Sequence, residues 1–172
     1  MRNILCILLL IFTVTACQKG KVGDSTNASS WSNRFSDIAN ADSLVKGSSY
    51  LPVYSQIYQQ HENKTYNLTV TASIRNVSRI DTVYIINADY FNTAGEKIRS
   101  YFSRPIFVRP LETVEIVIGE NDSAGGTGGN FIFDWAVKSE KQIPLFEAVM
   151  ISTTGQQGLS FTTRGVRIFD HI

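Results

Sequence analysis

The chain has 172 residues, of which 43% are hydrophobic and 18% are charged, and this composition is ordinary for one globular domain. Its formal net charge is +1, from 16 basic and 15 acidic side chains. This balance argues against a protein that binds nucleic acid, or an anionic membrane surface, through an excess of positive charge.

The first 20 residues read MRNILCILLLIFTVTACQKG, with one cation, Arg2, ahead of an apolar run from Ile4 to about Val14. As a helix this run would be roughly 16 Å long at ~1.5 Å per residue, which is too short for a hydrocarbon core of ~30 Å. The segment therefore predicts a secretory signal peptide and not a transmembrane helix.

The signal segment ends in VTAC, whose last residue is Cys17. Small residues directly before a cysteine resemble the lipobox of bacterial lipoprotein precursors. The resemblance implies that residues 1–16 are removed, that the Cys17 thiol receives a diacylglyceryl group, and that acyl chains anchor the protein in a membrane. Gln18 after the cysteine is similar to the pattern that sorts lipoproteins to the outer membrane, so we expect a domain facing the periplasm or the cell surface. The alternative is an ordinary signal peptide cut near an incidental cysteine.

Cys6 and Cys17 are the only cysteines of the chain. If the first is lost with the signal and the second carries lipid, the domain has no disulfide and must be stabilised by its core. The same count excludes cysteine nucleophiles, zinc ribbons and cysteine-bound iron–sulfur clusters. We expect no cofactor and no metal.

Residues 17–49 are rich in Ser, Asn, Asp, Gly and Lys, which predicts a flexible tether between the lipid and the domain. Within it Trp31, Phe35 and Ile38 are spaced by four and three residues, as in a short amphipathic helix. A linker with scattered apolar residues explains these three positions equally well.

Residues 50–172 predict β structure almost throughout. In YNLTVTASIRN the apolar positions from Tyr66 to Ile74 alternate with polar ones, as in a strand with one buried face. Turn signals separate several short strands and no long helical pattern occurs, which predicts an all-β, single antiparallel β-sandwich. The predicted strands are 51–58, 66–74, 82–91, 97–102, 114–118, 130–137, 146–152 and 158–169.

Five segments, in this order and spacing, resemble a family of bacterial secreted lipoproteins known only as a domain of unknown function: LPVYSQIY, YNLTVTASIRN, DYFNTAGEKIRSYF, NDSAGGTGGNFIFDW and EAVMISTTGQQGLSFTTRG. The resemblance covers residues 50–168 and implies no catalytic residues. The part from YNLTVTASIRNVS to ADYFNTAGEKI is also similar to immunoglobulin-like modules of cell-envelope proteins, which implies an immunoglobulin-like sandwich.

Few residues support a catalytic site. His61 and His171 are the only histidines and no Gly-x-Ser-x-Gly motif occurs, which argues against a Ser-His-Asp hydrolase. Asp134 and Glu147 each lie between apolar residues in a predicted strand. As a pair they would suit a carbohydrate-active enzyme, which is the alternative function.

The segment GENDSAGGTGGNF, residues 119–131, has four glycines among five residues. It is followed by a strand and lacks a lysine, so it does not predict a phosphate-binding loop. A plain connection between strands is preferred; calcium ligation by residues 120–123 and partner recognition are the alternatives. The candidate contact residues are Asp122, Asn130, Asp134, Trp135, Gln156, Gln157 and Arg164.

The sequence therefore predicts a lipid-anchored, non-enzymatic binding or assembly module of the cell envelope. Its expected partners are the membrane, through the lipid, and an envelope protein or glycan, but not nucleic acid.

Overall fold

The computed structural model describes residues 31–38, 43–153 and 158–168. In this part of the chain twelve strands alternate with turns and short 3₁₀ segments. They are β1 Val45–Val53, β2 Gln56–Gln59, β3 His61–Asn67, β4 Thr69–Arg75, β5 Val83–Phe91, β6 Lys97–Ser100, β7 Ile106–Val108, β8 Thr113–Ile118, β9 Gly129–Val137, β10 Leu145–Ser152, β11 Leu159–Arg164 and β12 Val166–Ile168.

The strands form two main sheets. In sheet I the order is β12-β1-β9-β5-β6, with β7 also pairing with β5, and in sheet II the order is β11-β10-β4-β8. All neighbours are antiparallel, and β2 and β3 form a separate hairpin. The predicted all-β antiparallel sandwich is confirmed. Within the described ranges, no helix is both long and apolar enough to cross a membrane.

A column of stacked aromatic rings joins the two sheets. Tyr90, on β5, stacks on Phe131 with ring centroids 4.9 Å apart, and Phe131 stacks on Phe133 at 5.2 Å. Phe133 then stacks on Phe146 of sheet II at 4.5 Å, with an interplanar angle of 10°. All four side chains are buried, and offset-stacked pairs of this kind contribute about 0.5–1.5 kcal/mol each beyond the area they bury.

The predicted strand 66–74 is two strands in the structure. β3 ends at Asn67 and β4 begins at Thr69, because Leu68 between them is fully buried and donates its N–H to the carbonyl of Ser55 at 2.9 Å. The alternation of inward and outward side chains holds for β4, although the outward Ser73 is only 3% exposed, and Tyr66 belongs to the β2–β3 hairpin. The short strand β7 was not predicted.

Strand β1 begins at Val45, inside the segment predicted as tether, and pairs with β9 along its whole length. The two serines of this strand, Ser48 and Ser49, are buried because their hydroxyl groups form hydrogen bonds. The Oγ of Ser49, for example, accepts a hydrogen bond from the indole N–H of Trp135 at 3.0 Å. Gly47 lies against the same indole, where an added Cβ would be 2.6 Å from the ring. Gly47, Ser48 and Ser49 thus lie in a core strand because this segment packs on the large side chain of Trp135.

The described residues before β1 also pack on the domain. Trp31 is 6% exposed, with its ring 5.5 Å from that of Phe102, and Phe35 forms a β-bridge with Ile106. The described residues that follow Trp31 form one 3₁₀ turn, Ser32–Arg34, and no helix extends from Trp31 to Ile38. Residues 31–36 therefore belong to the folded domain.

An ion pair ties the 3₁₀ turn to the connection between β7 and β8. Arg34 Nη2 lies 2.8 Å from Glu112 Oε1. The hydrogen bond from Arg34, the largest influence on this group, holds the pKa of Glu112 below its ordinary value of 4.5.

The glycine-rich connection between β8 and β9 is packed against the turn that follows β5. An added Cβ on Gly125 would lie 1.8 Å from the hydroxyl oxygen of Tyr90. The carbonyl of Gly125 accepts hydrogen bonds from the N–H and the hydroxyl of Thr93 at 3.1 and 3.0 Å. Gly126 has a φ of 68°, a conformation that favours glycine. The packing thus supports the preferred interpretation of this segment as a structural connection.

Replacing Trp31 by alanine should lower the free energy of unfolding by about 3–5 kcal/mol, because it leaves a cavity beside Phe102. Chemical denaturation of the purified protein measures this change. Ile80→Ala is the control, since Ile80 is 82% exposed and its loss should change stability by less than about 0.5 kcal/mol. Equal stability of the two variants would show that residues 31–36 do not stabilise the fold.

Replacing Gly125 by alanine should destabilise the domain by about 1–3 kcal/mol, since the new methyl group overlaps the buried Tyr90 side chain. Gly119→Ala is the matched control in the same connection, because an added Cβ there has no atom within 4 Å. Thermal and chemical denaturation compare the two. If both variants are as stable as the wild type, the close packing of Gly125 does not constrain the fold.

Candidate functional site

Asp134 lies on the outer face of sheet I. Its neighbours on β9, Phe133 and Trp135, are fully buried, so by alternation the Asp134 side chain points away from the core. It accepts a hydrogen bond from the Oγ of Ser48 at 2.6 Å. Asn87 is its cross-strand neighbour on β5. Asp134 is therefore part of the polar surface of this sheet.

Glu147 lies on the outer face of sheet II, because its neighbours on β10, Phe146 and Ala148, are buried. Packed sheets are ~10 Å apart, and the side chains of Asp134 and Glu147 leave the sandwich in opposite directions. The alternative in which these two carboxylates act together as a catalytic pair does not fit this geometry, since the whole core lies between them.

Two other candidate contact residues have structural roles. Asp122 forms an ion pair of 2.5 Å with Arg99, which fastens the glycine-rich connection to β6. Trp135 is fully buried, and its indole ring is covered by the guanidinium of Arg167 at 5.4 Å from the ring centroid. Trp135, predicted as a partner contact, has no exposed surface in this structure with which to touch a partner.

The remaining candidates lie apart from one another. Asn130 is partly exposed near the start of β9, on the same outer face as Asp134. Arg164 is exposed at the end of β11 in sheet II. Gln156 and Gln157 fall outside the described residues. The structure thus brings Asn130 and Asp134 onto one face and places Arg164 on the opposite one.

A cavity of about 300 Å³ opens on the outer face of sheet II, around Glu147 and Arg164. It crosses three strands, β4, β10 and β11, whose outward side chains form its walls. The outward side chains that line it are Ser73, Arg75, Glu147, Val149, Thr162 and Arg164.

Strand register positions the charged groups of this cavity. Glu147 is directly opposite Arg164 on β11 and Ser73 on β4. Directly opposite residues have Cβ atoms ~5 Å apart, so Glu147 and Arg164 are near neighbours. Arg75 lies one row further along β4, and its Nε is 3.3 Å from Glu147 Oε2. Because this N–H is not aligned for a hydrogen bond, the contact is mainly Coulombic.

The two arginines differ in how they are held. Arg75 also donates from Nη1 to the hydroxyl of Thr113 at 3.4 Å, so it is tied at both ends. Arg164 has no side-chain hydrogen bond or ion pair with any described residue. Among the described residues, the lining carries two guanidinium groups and one carboxylate, and the Arg164 guanidinium is the one available to bind an anion.

A second cavity of about 300 Å³ lies beside the N-terminal segment. Its walls are aromatic rings and serine hydroxyls, from Trp31, Phe35, Ser100, Tyr101, Phe102 and Ser103. None of the described residues that line it is charged. No group of three or more His, Cys, Asp or Glu suited to a metal ion exists among the residues that the structure describes.

Sequence reasoning identified Glu147 and Arg164 separately and missed Arg75. The alternation in YNLTVTASIRN places Arg75 on the outward face, so its outward position could have been predicted from the sequence. Its contact with Glu147, 72 residues later in the chain, depends on the pairing of β4 with β10 and leaves no local signal.

No curated protein matches the chain. Among solved structures, the one described as "Crystal Structure of Thermotoga maritima 1070" is similar over 70% of this chain and 94% of that chain, with 8% sequence identity and a TM-score of 0.43. Residues 46–168 match the family described as "Protein of unknown function (DUF3124)", which confirms the resemblance seen over residues 50–168. The chain belongs to this family of proteins of unknown function.

Proposed function

We propose that the protein is a lipid-anchored lipoprotein of the bacterial cell envelope, and that its sandwich is a non-enzymatic binding or assembly module. The lipobox-like VTAC sequence supports the anchor. The cavity on sheet II supports the binding role, because it presents charged and hydroxyl groups on an open surface. Its partner in this proposal is an envelope protein or a glycan.

The observation that carries the binding role is Arg164 at the rim of this cavity, which has no side-chain partner among the described residues. Trp135 is buried, and Asp122 and Asp134 already have side-chain partners. Arg164, in contrast, is exposed and directly opposite Glu147. An exposed guanidinium beside a carboxylate and hydroxyl groups provides both donors and acceptors to a ligand. Such a surface recognises polar groups without any chemical step.

The distance between the anchor and the domain limits where this surface acts. Thirteen residues lie between Cys17 and Trp31, the first described residue. Even fully extended they span at most about 50 Å. The domain therefore works within about 50 Å of the membrane in which we place its lipid.

The enzyme alternative now depends on a different pair of carboxylates. Glu115, on β8, is opposite Ser73, and Ser73 is opposite Glu147, so the two glutamates lie on one outer face with one strand between them. Two strand spacings separate their backbones by about 10 Å, whereas the carboxyl groups of inverting glycosidases are about 6.5–9.5 Å apart. Glu115 also accepts a hydrogen bond from Ser73 at 3.3 Å. We favour binding because Glu147 faces arginines on both sides.

Replacing Cys17 by serine should move the protein from the membrane fraction to the soluble fraction, since a hydroxyl cannot accept the thioether-linked lipid. Fractionation and mass spectrometry of the expressed protein measure this shift. Cys6→Ser is the matched control, because it changes the other cysteine inside the signal segment and should leave the protein in the membrane. Membrane partitioning that is unchanged in Cys17→Ser would contradict the anchor.

The non-enzymatic role predicts that the purified protein releases no product from a panel of glycans and esters. Glu115→Gln and Glu147→Gln are made in parallel, with Asp134→Asn as the control on the opposite face. Activity that is present in the wild type and in Asp134→Asn, but lost in both glutamate variants, would replace the binding role by the enzyme alternative.

A further inference from the structure

We propose that the cavity on sheet II binds an acidic sugar, meaning a pyranose residue with one carboxylate and several hydroxyl groups. This inference rests on the proposed binding function and names the class of ligand for the same site. Three properties of the cavity lead to it: its charge, its hydrogen-bonding groups and its size.

The charge of the lining favours a ligand with one negative group. Arg75 is neutralised by Glu147 at 3.3 Å, which leaves the positive charge of Arg164 without a partner among described residues. The planar fork of a guanidinium matches the two oxygens of a carboxylate and forms short, charge-assisted hydrogen bonds with it. Arg164 is therefore the group that we assign to the ligand carboxylate.

The other polar groups of the lining suit hydroxyls. Glu147 uses Oε2 towards Arg75, and its Oε1 has no hydrogen-bond partner in the described chain. This oxygen can accept from a ligand hydroxyl, and the exposed hydroxyl of Thr162 can both donate and accept. A simple anion would use Arg164 and leave these groups without a role. A ligand with hydroxyls next to its carboxylate uses all of them.

The apolar floor and the volume fit one sugar ring. Val149 is 38% exposed between Thr71 and Thr162, where its methyl groups can contact the C–H face of a pyranose. A volume of about 300 Å³ is at the lower end of the range for ligand pockets, so the cavity holds one residue of a glycan and not a long segment. A neutral sugar would leave Arg164 unpaired, which is why we assign an acidic one.

The test is a titration of the full-length lipoprotein in detergent micelles, followed by NMR, with D-glucuronate as the probe. We expect a dissociation constant on the order of 1 mM, and binding at least about tenfold weaker for D-glucose, which lacks the carboxylate. Arg164→Gln should weaken glucuronate binding by about tenfold or more, because it removes the charge but keeps a donor of similar length.

Arg104→Gln is the control, because Arg104 is on the side of the sandwich beside Phe35 and should leave binding unchanged. Thermal denaturation of each variant verifies that it is folded. Equal binding of glucose and glucuronate, or equal binding by Arg164→Gln and wild type, would overturn the assignment. Inorganic phosphate that binds as tightly as glucuronate would also overturn it, since the site would then recognise charge alone.

Sugar binding and membrane anchoring can be tested separately. If glucuronate does not bind, but Cys17→Ser still releases the protein from the membrane, the sugar assignment is wrong and the anchored module stands. If glucuronate binds and Cys17→Ser does not change the partitioning, the site stands and the anchor is wrong.

Discussion

The contact between Phe133 and Phe146 is the interaction on which the sandwich depends. It joins sheet I to sheet II at 4.5 Å and continues through Phe131 to Tyr90, so one column of rings crosses the core. Since side chains of a strand alternate between faces, fixing these rings inward fixes their neighbours outward. Asp134 follows Phe133 and Glu147 follows Phe146. The same packing that holds the sheets together therefore places the two carboxylates on opposite surfaces.

The faces of the strands could be predicted from the sequence, but their partners could not. Alternation in YNLTVTASIRN correctly placed Val70 and Ile74 inside and Arg75 outside. The meeting of Arg75 with Glu147 depends on the register of β4 and β10, which no local pattern encodes. For this reason the fold class was predictable, and the cavity built from three strands was not.

The start of β1 was misread as tether because contacts with residues distant in sequence determine its structure. Composition suggested that Gly47 to Ser49 were tether, yet Gly47 gives room to the Trp135 ring and Ser49 accepts its N–H. Gly125 likewise gives room to Tyr90. In both places a small residue is required by a large aromatic side chain that is distant in sequence. Composition alone does not distinguish such a glycine from one in a flexible linker, because the difference lies in the contact.

The cavity on sheet II is coupled to the aromatic column through its last ring. Glu147 directly follows Phe146, and Arg164 directly precedes Gly165, whose N–H donates to the carbonyl of Phe146 at 2.8 Å. An added Cβ on Gly165 would lie 3.0 Å from that of Phe146, so the chain passes closely over this residue as it leaves sheet II for sheet I. Glu147 and Arg164 are thus each next in sequence to a residue of this backbone hydrogen bond, which lies beside the core. Because the core sets the backbone positions of both residues, their side chains start from directly opposite strand positions before any ligand arrives.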